Sequence, residues 1–106
     1  LKRRALDVLT TETREVATRA GVTVPRVSVR DQKGRWGSCA ADGAISYSWR
    51  LILAPPEIRR SVVAHEVAHR LHMHHGPDFW ATATALYDGD MTAARRWLKR
   101  RGPSLH

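Results

Sequence analysis

The stretch Glu57-Ile58-Arg59-Arg60-Ser61-Val62-Val63-Ala64-His65-Glu66-Val67-Ala68-His69-Arg70-Leu71-His72 decides how the rest of the chain is read. Its apolar residues recur at helical spacing, and Pro56 in front of it suits a first helical turn, so a helix over 57–72 is expected. At about 100° per residue, Val63, Val67 and Leu71 with Ala64 and Ala68 form one apolar arc. His65 and His69, four residues apart, fall together on the opposite face, one turn from each other. Packing the arc on a sheet therefore aims both imidazoles outward at one point, which suits a zinc ion. Glu66 lies about 100° round the helix from His65, close enough to reach a metal-bound water without being a ligand, the position a general base requires.

A catalytic zinc usually keeps three protein ligands, so a third is expected from His72, His74, His75 or Asp78. His72 shares the face of His65, but it stands about 4.5 Å further along the axis than His69 at ~1.5 Å rise per residue. Three ligands in one row fit poorly round a tetrahedral ion, and chain that has left the helix and turned back is favoured. Residues 73–76 supply that turn, with Gly76 free in its backbone angles and Pro77 blocking simple continuation. His74 and His75 both meet this condition.

Working outward, Leu6, Leu9, Thr13, Val16, Ala17 and Ala20 mark an amphipathic helix over residues 2–20, with Gly21 as its stop. Val27-Ser28-Val29-Arg30, Arg35-Trp36-Gly37-Ser38-Cys39 and Ile45-Ser46-Tyr47-Ser48-Trp49 read as strands joined by turns at Asp31-Gln32-Lys33-Gly34 and Ala41-Asp42-Gly43. The expectation is a three-stranded antiparallel meander ended by Pro55-Pro56. A third helix is expected from Gly76-Pro77 and a fourth from Asp90 as N-cap to Gly102-Pro103. Helix, small sheet, then helices is an α+β order within one domain over residues 1–106.

With 106 residues the chain has length for one core. Its 42% hydrophobic and 26% charged residues exclude disorder and collagen-like repetition. One cysteine, Cys39, excludes an intrachain disulfide and makes a cytoplasmic setting the simplest expectation. No apolar run approaches the roughly 18 residues that span a bilayer, so no membrane partner is expected. Eighteen Lys and Arg against ten Asp and Glu give +8, which favours acidic partners. Arg95, Arg96, Lys99, Arg100 and Arg101 concentrate five of those charges near the end, where nonspecific, salt-sensitive nucleic-acid contact is expected. Trp36, Trp49, Phe79, Trp80 and Trp97 are expected mainly in the core, and Cys39 as a small buried hydrophobe. Arg35 and Arg50 flank the strands, where either can meet a carboxylate or a phosphate. Tyr47 and Tyr87 are candidates to stabilise an oxyanion.

Three motifs in order, Asp31-Gln32-Lys33-Gly34-Arg35-Trp36-Gly37-Ser38-Cys39, Trp49-Arg50-Leu51-Ile52-Leu53-Ala54-Pro55-Pro56, and His65-Glu66-Val67-Ala68-His69 through His75-Gly76-Pro77-Asp78-Phe79-Trp80, closely resemble the YgjP-like family of zinc metallopeptidase-like proteins. Arg96-Trp97-Leu98 is a weaker echo. The resemblance covers about half of the chain. It implies a minimal zincin-like domain, more distantly similar to the SprT and WLM proteases. It also implies zinc held by His65, His69 and a third histidine six residues on, which is His75, with Glu66 as the catalytic residue. His74 stands where the family often has Asn. The family commonly carries a further β-rich N-terminal region, so a fragment lacking it is expected. His72 and Tyr47 remain candidates for a supporting or oxyanion role. The function implied is zinc-dependent hydrolysis of peptide or protein substrates by water activated through Glu66. The alternative is a zinc-containing, nucleic-acid-associated binding domain with weak or no turnover.

Overall fold

The computed structural model describes residues 1–105. Helix α1, Lys2–Ala20, buries Ala5, Leu9, Thr13, Val16 and Ala17 along one stripe. It ends in a Schellman turn. Gly21 adopts φ 73°, ψ 27°, its N–H donates to the Thr18 carbonyl (3.2 Å) and that of Val22 to the Ala17 carbonyl (3.0 Å). This left-handed position is the one that a glycine occupies without a Cβ penalty.

Strands β1 (Val27–Arg30), β2 (Gly37–Cys39) and β3 (Ile45–Ser48) form one sheet in the order β1-β3-β2. β2 and β3 are antiparallel and joined through the expected Ala41-Asp42-Gly43 turn, in which Gly43 takes φ 93° and Asp42 Oδ1 accepts from the Ala44 N–H at 2.9 Å. The meander expected from the sequence is corrected here, because β1 pairs with β3 in parallel and the sheet is mixed. β3 carries fully buried Ile45 and Tyr47, and the most buried strand takes the centre. Residues 31–36 do not make a hairpin. Asp31 is ion-paired to Arg50, and the Trp36 carbonyl accepts from the Ser48 N–H at 2.9 Å, so this segment steps across the end of β3 to its other edge. The registers place Val27, Ile45 and Cys39 in one row and Val29, Tyr47 and Gly37 in another. Both rows face the helices, while Ser28 and Ser46 pair at 3.0 Å on the opposite face.

A 3₁₀ turn over Trp49–Leu53, capped by the Ser48 hydroxyl, intervenes before Pro55-Pro56 and buries Leu51. Helix α2, Pro56–Ala68, follows with proline in its first turn. It is shorter than the expected 57–72. Over His69–Leu71 the hydrogen bonds tighten to three-residue spacing, His69 N–H to the Glu66 carbonyl (3.1 Å), Arg70 to Val67 (2.9 Å) and Leu71 to Ala68 (3.0 Å), before His72 N–H bonds back to the Ala68 carbonyl at 3.0 Å. Leu71 accordingly leaves the apolar arc and is 48% exposed, whereas Val63, Ala64, Val67 and Ala68 are fully buried. Helices α3 (Pro77–Leu86) and α4 (Met91–Arg101) complete the fold. Asp90 caps α4 by accepting from the Ala93 N–H at 3.0 Å. Among the described residues no helix is long and apolar enough to cross a membrane.

Candidate metal centre

α2 is packed through Val63 and Val67, so His65 and Glu66 are carried towards the cleft between this helix and β2. His69 sits at the helix end, and the turn beyond it brings back His75. One nitrogen from each of His65, His69 and His75 lies within 4.8 Å of the others. The Nε2 atoms of His69 and His75 are 3.0 Å apart. Two nitrogens bound at about 2.0–2.1 Å to one tetrahedral ion would lie ~3.3 Å apart, so the donor set fits zinc in spacing and in chemistry.

The ring of His69 has its tautomer set by a neighbour. Nδ1 stands 3.1 Å from the backbone carbonyl of His72, and a carbonyl only accepts, so Nδ1 carries the proton and Nε2 presents its lone pair to the cleft. His72 thus supports the site through its backbone. Phe79, fully buried at the start of α3, lies under all three imidazoles, with ring centroids 5.0, 4.5 and 4.7 Å from those of His65, His69 and His75. Trp80 adds a flank, 5.5 Å from His65 and 5.6 Å from His75. Burial, then the neighbouring His69, His75 and Arg95, push the His65 pKa down to about 4. Burial also lowers that of His69, against its bond to the His72 carbonyl. Both effects favour neutral imidazole, the form that ligates.

Glu66 is 5% exposed, and burial pushes its pKa up to about 7 against the opposing charge of Arg35. Its side chain lies on Gly37 of β2, where an added Cβ would stand 3.0 Å from Cγ and 3.1 Å from Oε2. Any larger residue would force the Glu66 side chain to move by a few tenths of an ångström.

The other candidates go elsewhere. His72, His74 and Asp78 line a separate cleft with Met73. Tyr47 corrects an expectation: it is fully buried, its hydroxyl is 2.8 Å from Thr13 Oγ1, and burial holds its pKa far above the usual phenol range. It joins β3 to α1 and has no exposed surface to offer an oxyanion. Tyr87 donates to the Glu57 carbonyl at 2.8 Å. Cys39 is only half buried and lines the cleft beside the histidines, its thiol pKa raised first by burial. Gly37 and the ring-supporting role of Phe79 were missed from the sequence. An isolated glycine in a predicted strand was the available signal for close approach.

The YgjP-like family, described as a metallopeptidase domain, matches residues 1–101. The crystal structure of the metallopeptidase zymogen of Pyrococcus abyssi abylysin is similar in fold, with TM-score 0.73 at 17% identity over 87% of this chain and 93% of that one. No curated protein sequence matches the chain.

Proposed function

The chain belongs to the YgjP-like metallopeptidase family, and from that premise we propose that it hydrolyses peptide bonds with zinc held by His65, His69 and His75 and Glu66 as general base. The observation that carries this reading is the convergence of three imidazole nitrogens within 4.8 Å, in a cleft shared with one buried carboxylate. When bound, zinc supplies Lewis-acid polarisation of a carbonyl and makes water a stronger acid. The protein's residues do the rest. The His72 carbonyl and Phe79 hold the rings in place, so little order is lost when an ion enters. Glu66, with a pKa near the operating pH, takes a proton from the attacking water and returns it to the leaving amine. Among the described residues β2 pairs with β3 alone, so it is an edge strand beside the cleft on which the main chain of an extended peptide could pair.

Metal analysis of the purified chain together with a peptide-library digest tests this. Zinc near one equivalent with cleavage is expected, and a chain that takes up no zinc overturns the reading. A second reading has its own observation: the exposed cations Arg96, Lys99, Arg100 and Arg101 of α4 make a basic surface suited to phosphate backbones. Zinc without cleavage of any peptide, combined with salt-sensitive DNA binding, would favour a nucleic-acid-associated binding domain.

A further inference from the structure

Beside the three histidines, His65 and Glu66 also border a second, open cavity of about 320 Å³ between α2, α4 and the segment leading into β2. Its walls are apolar where Trp36, Val62, Met91 and Leu98 meet. Two arginines line it, Arg35 from the segment before β2 and Arg95 from α4. This volume is at the small end of ligand pockets, roughly 300–1,000 Å³, and admits one side chain.

What sets these two arginines apart is that both line a cavity bordered by His65 and Glu66. Neither is in an ion pair among the described residues, although the charge of Arg35 acts on Glu66 in the same wall. Arg95 is nevertheless held in place, its guanidinium 4.3 Å from the centre of the Trp80 ring. Trp80 in turn flanks His65 and His75. The Trp80 ring thus links the Arg95 guanidinium to the flank of the candidate metal centre, although Arg95 is itself exposed. Glu66 is the one acid in the wall, and the proposed chemistry already uses it.

Resting on the peptidase reading, we infer that this cavity is a specificity subsite that selects substrates by a carboxylate next to the scissile bond, with Arg35 and Arg95 as the residues that recognise it. An apolar stem packs on Val62, Met91 and Leu98 while its carboxylate meets the two guanidinium groups. An Asp or Glu side chain and the free C-terminus of a short peptide present the same group, and the experiment separates them.

The probes are acetyl-Ala-Ala-Xaa-amides with Xaa as Glu, Gln or Lys, and acetyl-Ala-Ala-Gln with a free carboxyl terminus. They are titrated into the zinc-loaded full chain carrying Glu66→Gln, and binding is read by isothermal titration calorimetry. At least one carboxylate probe should bind about three- to tenfold more tightly than the Gln amide, with the advantage shrinking as salt is added. A tighter Glu amide identifies a side-chain subsite, and a tighter free acid a C-terminal one. Arg35→Ala and Arg95→Ala should each reduce the preference, and Arg95→Glu should turn it towards the Lys amide, which loss of packing alone would not do. Equal binding of the Gln amide, or a preference that survives the double alanine variant, overturns the inference. Cleavage by the parent chain separates the two claims: cleavage indifferent to a carboxylate defeats the subsite alone, and carboxylate selection without cleavage of any peptide defeats the hydrolase reading alone.

Discussion

Glu66 concentrates the conflict that makes a general base, because the burial that raises its pKa also opposes its ionisation in the folded chain. Glu66→Gln keeps the shape and the hydrogen-bonding reach but cannot take a proton, so cleavage should fall roughly 10²- to 10⁴-fold with zinc retained. The same variant has a pH signature in the metal-free protein. With a folded pKa of about 7 against an ordinary 4.5, Glu66 contributes stability that is fully present below about pH 4.5 and is lost as pH rises through 7. Glu66→Gln should therefore gain stability over the parent by about 1–3 kcal/mol at pH 8 and little at pH 5, as read by urea unfolding. A gain independent of pH would contradict this. His65 acts in the opposite sense. Its folded pKa of about 4, below the ordinary 6.5, gives a contribution present above pH 6.5 and lost as pH falls through 4. Among the other histidines, zinc stoichiometry should collapse in His75→Ala and persist in His74→Ala. It should persist in His72→Ala too, because the group that His72 gives to His69 is its backbone carbonyl.

At the scale of elements, β2 and α2 make the site by approaching each other, and Gly37 is where they touch. Gly37→Ala places a methyl group 3.0 Å from Glu66 Cγ. It should lower cleavage by about tenfold or more through displacement of the base, with zinc content unchanged, whereas Gly34→Ala, which meets nothing within 4 Å, should leave cleavage unaffected. Steady-state kinetics with metal analysis of the two variants checks the contrast. Such contacts show why some elements were legible in sequence and others were not. The limits of α1, the Asp90 cap and the Gly76-Pro77 start of α3 depend on neighbours within a turn, which local periodicity and capping rules describe. The place of His65 and His69 on one face followed for the same reason. The parallel pairing of β1 with β3 rests on the Asp31–Arg50 pair and on the burial of β3, partners that local sequence does not join. The end of α2 escaped periodicity because Leu71 continues the apolar pattern while the backbone already tightens towards His75. Tyr47 could be placed only once Thr13, on another element, was known to face it.

Across the whole molecule, α1 braces the site from behind. Thr13 ties it to β3 through Tyr47, and Glu12 ties it to α2, the helix that carries His65 and Glu66. Glu12 is 8% exposed and accepts from Arg59 Nε at 2.7 Å and Nη2 at 3.0 Å, a two-pronged pair in which both side chains are 11% exposed. Arg60 approaches the same carboxylate at 3.2 Å with its side chain 58% exposed. These two arginines should behave differently. Removing the acid leaves Arg59 buried without a counter-charge, so Glu12→Gln should cost about 2–4 kcal/mol, a large share of the roughly 5–15 kcal/mol that holds a small domain together. Arg60→Ala, at a solvated position, should cost no more than about 1 kcal/mol. Glu12→Leu with Arg59→Met removes both charges, and it should recover most of the loss because no buried ion is then left alone. Urea unfolding of the four chains measures these terms. A Glu12→Gln chain as stable as the parent would show that α1 is held by its apolar stripe alone. If the brace acts only through stability, zinc stoichiometry in all four should match well below their unfolding transitions, because none of the substituted residues touches the three histidines.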